Sequence, residues 1–145
     1  MTLYSAGRTT GLVVDSGDGV THTVPVFEGY SIPHAIEKME IAGRELTKFL
    51  AKLLLENNAE SFTSSSELEI VRLIKEKTCF VAQSYDEENK AALDSQDYDE
   101  SYNLPDKRVL NIFGNVRMTC PELLFNPSLN GRTCMSIQDL TWTSV

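Results

Sequence analysis

Two aspartates, two glycines and a serine stand together at Asp15-Ser16-Gly17-Asp18-Gly19, between the apolar run Leu12-Val13-Val14 and the β-branched run Val20-Thr21-His22-Thr23-Val24. Glycines lack a Cβ, so the backbone N–H groups of such a turn can approach an anion closely, and successive N–H groups form a concave anion site. The aspartates would repel a bare phosphate. They suit a phosphate that arrives with a divalent cation, because carboxylates hold such a metal or its waters. The same composition also describes an acidic hairpin turn with no ligand at all. His22 follows on the second run, where alternation alone makes it a half-buried, hydrogen-bonded strand side chain.

Such a turn needs strands to hold it. Thr9–Val14 and Val20–Phe27 read as a hairpin, and Glu37–Ile41 alternates polar and apolar residues as a third short strand. Pro25 has no N–H to give a ladder, so its place in the second strand calls for a sheet edge or a bulge. From Arg44 the period becomes helical, with Leu46, Phe49, Leu50, Leu53 and Leu54 on one face and Asn57-Asn58 ending the run. A second helix follows Ser64-Ser65-Ser66, with Glu67 or Glu69 placed to close a capping box. Its apolar stripe is Leu68, Val71 and Ile74, which puts Arg72, Lys75 and Glu76 partly on other faces, where an ordinary solvated helix surface accounts for them. Asp86–Glu100 is acidic and poor in large apolar residues, and reads as a solvated surface segment. Its acids miss the alternating ligand spacing and central glycine of a calcium loop. Val109–Ile112 and Val116–Met118 read as a second hairpin turning at Gly114-Asn115, followed by a helical turn at Pro121–Phe125 and a loop at Asn126–Arg132. Strands alternating with helices indicate an α/β protein.

The order of these blocks resembles actin. The resemblance is carried by Leu3-Tyr4, by Gly7-Arg8-Thr9-Thr10-Gly11, and by the run from Asp15 to Pro25. It continues through Glu28-Gly29-Tyr30, Pro33-His34-Ala35-Ile36, Ala42-Gly43-Arg44-Glu45-Leu46-Thr47 and Ser61-Phe62-Thr63. Glu69-Ile70-Val71-Arg72, Ile74-Lys75-Glu76-Lys77, Tyr102-Asn103-Leu104-Pro105-Asp106 and Cys120-Pro121-Glu122-Leu123-Leu124-Phe125 complete it. This similarity implies an α/β fold of the actin-like ATPase, ribonuclease H-like kind, present as an incomplete lobe with an inserted, mainly helical subdomain. Residues 1–145 would form a partial actin domain. Residues 1–42 are then its β-rich phosphate-loop part, 43–132 the inserted helical subdomain, and 133–145 a return to the core subdomain.

The resemblance also implies roles, residue by residue. Asp15 would hold Mg2+ or Ca2+ through water, and Gly17, Asp18, Gly19 and Val20 would grip the phosphates of ATP or ADP. His22 would stand beside the water that attacks the terminal phosphate, in chemistry of positioning and electrostatics. Gly43, Arg72, Lys75 and Glu76 would meet the base and ribose. The family's first phosphate hairpin, its water-placing glutamine and its later glycine-rich loop have no counterpart in this sequence. Nucleotide binding is therefore expected to be weak or absent, and enzymatic turnover is left open. Lys38 stands where the family has an arginine, Glu40 where it has an aspartate, and Leu129-Asn130-Gly131-Arg132 at its hydrophobic plug. The expected function is that of a divergent or truncated cytoskeletal, filament-forming protein whose partners are actin subunits and actin-binding proteins. The alternatives are a non-enzymatic interaction or capping fragment and a non-functional partial gene product.

Composition limits the rest. The 145 residues carry a formal charge of −8, which disfavours nucleic acid or an anionic membrane as partner. Cys79, Cys120 and Cys134 are odd in number and lack paired-ligand spacing, so they read as reduced, partly buried thiols of a cytoplasmic protein. No apolar run approaches membrane-spanning length, and no signal-peptide core stands at the N-terminus.

Overall fold

The computed structural model describes residues 2–145. Two compact units form: one from the segment through Glu45 together with Leu124–Val145, the other from Leu46–Leu123.

In the first unit the alternating runs become β1 (Gly11–Ser16) and β2 (Thr21–Phe27), paired antiparallel with Asp15 opposite His22 and Ser16 opposite Thr21. The far edge of β2 takes two short partners. Strand β4 (Glu37–Met39) lies opposite Thr21–Thr23, and β3 (Tyr30–Ser31) opposite Val26 and Phe27. Pro25 therefore sits in a central strand, not at an edge. It falls opposite the gap between β4 and β3, where no ladder partner awaits its missing N–H, and its carbonyl accepts from Ile32 N at 3.0 Å. The β2–β3 turn needs positive φ at both central residues, and Glu28 (φ 49°) and Gly29 (φ 85°) supply it.

Thr21, Thr23 and Pro25 are buried on one face of β2. On that side Thr23 Oγ1 hydrogen-bonds Ser144 Oγ of α6 (Ile137–Ser144), and Thr21 Oγ1 donates to Ile41 O at 2.7 Å. Buried hydroxyls are satisfied there, so threonine stands where a purely apolar core would place valine. The opposite face runs from Val24 and Val26, beside Tyr4 of the single helical turn α1 (Thr2–Ser5), to the polar end that carries Asp15 and His22.

Helix α2 (Gly43–Asn58) has its first turn in the first unit and its remainder in the second. In the second unit α2 and α3 (Ser65–Thr78) bury Leu50, Leu54, Val71 and Ile74 in one core with Leu104, Leu110, Ile112, Val116 and Cys120. The expected capping box is present. Glu67 N donates to Ser64 Oγ at 3.2 Å, and Glu67 Oε2 accepts from Ser64 N and Thr63 N at 3.0 and 2.8 Å. Those backbone donors, Ser64 first, hold the Glu67 carboxyl below the usual carboxylate range. Because its folded pKa is depressed, its contribution is present at neutral pH and is lost as pH falls through that lowered value. Ser64→Ala is expected to cost about 1 kcal/mol, lowering the thermal midpoint by about 3 °C, with Ser65→Ala as the neutral control. Equal loss from both substitutions in a calorimetric melt would refute the capping argument.

Two expectations fail in this unit. Asp86–Glu100 is not merely a solvated segment, because α4 (Tyr85–Asp94) occupies most of it, burying Ala92 and tying Tyr85 Oη to Thr119 Oγ1 at 2.9 Å. Its acidic first turn, Asp86-Glu87-Glu88, complements the positive end of the helix dipole. The second hairpin is also placed differently. Strand β6 (Val109–Ile112) pairs with β5 (Glu100–Asn103), and Gly114 opens α5 (Gly114–Glu122) instead of a turn to another strand. The true turn is Leu104–Arg108, where Leu104 N donates to Arg108 O at 2.8 Å and Asp106 Oδ1 accepts from Arg108 N at 3.0 Å. Helix α5 misleads the eye because Gly114, Val116, Met118 and Cys120 are all buried, a spacing of two produced by a helix enclosed on several sides. Its start is also marked from afar, by Asp99 Oδ1 accepting from Gly114 N at 2.8 Å. In the first unit the loop Asn126–Arg132 contains a short 3-10 turn, Pro127–Asn130, and there Cys134 is exposed, not partly buried as expected.

Candidate functional site

The glycine turn between β1 and β2 is fixed from behind. Gly17 N closes it on Val20 O at 3.2 Å, while Gly43 N donates to Gly17 O at 2.9 Å and Arg44 N to Asp18 O at 2.8 Å. The N-terminal amides of α2, which have no intrahelical acceptor, thus grip two carbonyls of the turn. All the described peptide bonds are trans, so the N–H that shares a peptide plane with each gripped carbonyl points the opposite way. The N–H groups of Asp18 and Gly19 consequently face away from α2. Neither they nor the N–H of Val20 donate to any protein acceptor among the described residues. Three consecutive N–H groups are thus left open to donate to an anion.

The two aspartates have separate fates. Asp18 Oδ2 is paired with Arg44 Nη2 at 2.8 Å, which offsets its charge toward an anion at the turn. Asp15 remains as the exposed carboxylate, with Oδ2 3.8 Å from His22 Nε2. That separation exceeds hydrogen-bonding distance, so His22 is half-buried but not hydrogen-bonded there. His22 in turn lies opposite Lys38 of β4. Directly opposed residues share a sheet face, so Asp15, His22 and Lys38 form a row of carboxylate, imidazole and ammonium across β1, β2 and β4. No group of three or more His, Cys, Asp or Glu that could enclose a metal ion exists among the described residues. One carboxylate beside open amides fits a cation whose other ligands are waters and phosphate oxygens.

The remaining candidates fall into two groups. Gly43 lies on the first turn of α2 and spends its N–H on Gly17, which makes it a positioning residue for the turn. Arg72, Lys75 and Glu76 belong to the second unit. Arg72 is clasped by Glu69, with Nε 3.1 and 3.0 Å from its two oxygens, and by Glu76, whose Oε1 accepts from Nη1 at 2.6 Å. Glu69 first and then Glu76 raise the Arg72 pKa further, and the hydrogen bonds from Arg72 keep the Glu69 carboxyl low. Lys75 turns to α2, donating to Thr47 Oγ1 at 3.0 Å. The helix therefore brings Arg72 and Glu76 together and directs Lys75 elsewhere. Arg44 is the site residue that sequence reasoning passed over. A cation in the first turn of a helix opposes the dipole, and that misfit is the signal of a nearby anion, here Asp18.

Helices mixed with two small sheets among the described residues define an α/β protein. The family model of actin matches residues 1–143, nearly the whole chain. The chain belongs to the actin family.

Proposed function

We propose that this actin-like chain holds the phosphates of ATP or ADP, with Mg2+ or Ca2+, at the β1–β2 turn, as a divergent or truncated cytoskeletal protein of the filament-forming kind. The supporting observation is the turn itself: open N–H groups on Asp18, Gly19 and Val20, a gripped backbone behind them and one free carboxylate, Asp15, beside them. In this reading the fold is ribonuclease H-like with an inserted helical subdomain, and Asp15 holds the cation through water. His22 stands where an attacking water would need orienting. Its Nε2 lies 3.8 Å from the Asp15 carboxylate, so imidazole and carboxylate would face the same water beside them. Arg72 and Glu76, already locked together, would offer a rigid wall for base and ribose, and Lys75 would serve through its fixed stem. Partners would be actin subunits and actin-binding proteins in the cytoplasm.

Isothermal titration with ATP in magnesium and again in EDTA tests this. Binding is expected with magnesium and is expected to weaken at least tenfold, about 1.4 kcal/mol, on chelation. Equal affinity in both buffers, or none in either, would overturn the proposal.

A second reading is a non-enzymatic interaction or capping protein, and one observation favours it. Arg132, at the position of the plug, pairs with Glu45 at 2.8 Å within its own unit, so that loop is held intramolecularly. A protein of this kind would slow elongation of existing actin filaments at substoichiometric ratio. It would not pellet alone in magnesium and salt.

A further inference from the structure

A cavity of about 590 Å³ lies in the second unit, where two helices end. Asn57, from the last turn of α2, lines it together with Leu93 and Asp94, the last two residues of α4. Gln96 and Asp99 follow from the segment between α4 and β5, and Phe113 forms another wall. No lysine, arginine or histidine lines it. A helix C-terminus carries partial negative charge, and neither α2 nor α4 has a basic residue in its last turn to offset it. Among the described residues none donates from outside the helix to the carbonyls of Ala92, Leu93 or Asp94, so those acceptors stay open. Asp94 sets a full negative charge against the negative end of its own helix, and its carboxylate has no ion-pair or hydrogen-bond partner among the described residues. For Arg44 the same misfit is answered by Asp18; for Asp94 the chain supplies no counter-charge. Asp99 is already spent, because its carboxylate accepts from Gly114 N at 2.8 Å and from Asn111 Nδ2 at 3.4 Å, meeting the positive end of α5. Asn57 Nδ2 donates to Leu53 O at 2.8 Å, which leaves its Oδ1 as one more acceptor. Apolar surface stands beside these groups: Phe113 is half-buried against the core of the unit, and Leu93 is 65% exposed.

We propose that this cavity is a binding site for a small organic amine, a protonated ammonium carried on an apolar stem. An ammonium is a compact cation that only donates, and the end of α4 offers it the Asp94 carboxylate and open carbonyls. The stem lies against Leu93 and the Phe113 ring, where an aromatic face also attracts a cation. A metal ion fits less well. One unspent carboxylate is too few ligands to replace its waters, and a hydrated ion gains nothing from apolar walls.

The test titrates the isotopically labelled parent chain with phenethylamine and follows the backbone amide resonances. Saturable shifts are expected at Leu93, Gln96 and Phe113, with the amides of the first unit unmoved. Methylammonium, which has the charge without the stem, and phenethyl alcohol, which has the stem without the charge, should each bind about tenfold more weakly. Asp94→Asn should weaken phenethylamine binding about tenfold, as expected for a lost hydrogen bond to a charged group. Asp97→Asn removes an exposed acid outside the cavity from a chain of formal charge −8, and it should leave the affinity unchanged. Equal losses from the two substitutions would reveal diffuse attraction of a cation to an acidic surface and would overturn the proposal. Shifts that fail to saturate, or phenethyl alcohol binding as tightly as the amine, would do the same. The parent titration needs no variant, so a folding defect in Asp94→Asn does not blunt it.

Discussion

Asp15→Ala is expected to erase the difference in ATP affinity between magnesium and EDTA, while leaving the fold intact. Asp15 is about two-thirds exposed, and the His22 imidazole beside it stands 3.8 Å away, so removing the carboxylate breaks no buried contact. An exposed pair of this kind contributes little stability. The effect on a bound cation is of another order. Asp18 is already committed to Arg44, which leaves no second carboxylate in the turn to take over. Titrations of the variant should give one affinity in both buffers, and the thermal midpoint should match that of the parent chain. Retained magnesium dependence would show that the cation is held elsewhere. Asp18→Ala makes the informative contrast. It frees Arg44 and should loosen the turn, yet it should preserve a measurable magnesium effect because Asp15 remains.

Gly114→Ala is expected to destabilise the second unit by about 2 kcal/mol, against the usual direction of such a change. In a helix, alanine is ordinarily favoured over glycine by about 1 kcal/mol, and Gly114 has an ordinary helical backbone. Space decides the sign. A Cβ at Gly114 would overlap the Tyr98 Cβ and would lie 3.1 Å from the Tyr98 carbonyl carbon and 3.2 Å from the Ala92 Cβ. None of these atoms is the far end of a flexible side chain, so the backbone around Tyr98 or the start of α5 must move. Such movement strains the 2.8 Å bond from Gly114 N to Asp99 and the contact of Arg117 with the Tyr98 carbonyl. Urea denaturation should show a lower midpoint at unchanged slope, and the thermal midpoint should fall by about 6 °C. A variant as stable as the parent would mean that α5 does not pack against Tyr98 and Ala92 as described.

Much of this arrangement is legible in the residues alone, because it rests on local chemistry. The alternation of Thr21, Thr23 and Pro25 against His22, Val24 and Val26 sets the two faces of β2. The spacing of Leu46, Leu50, Leu53 and Leu54 makes α2 a helix, and Ser64 with Glu67 marks where α3 begins. Asp15-Ser16-Gly17-Asp18-Gly19 can be recognised as a turn with chemical potential because its glycines and acids lie within one short stretch. What only the tertiary structure decided depends on partners distant in sequence. Gly114 is a helix start and not a hairpin turn because Asp99 accepts its N–H. Val109–Ile112 pairs backward with Glu100–Asn103, a strand with a single large apolar residue, because the Leu104–Arg108 turn brings the two together. Which aspartate of the turn stays free follows from Arg44, and which amides stay open follows from Gly43 and Arg44 gripping the carbonyls behind them. Periodicity reports how a segment divides between core and solvent. It carries no information about which remote donor or acceptor will satisfy a given polar group, and at this turn that satisfaction separates an anion site from an ordinary acidic hairpin.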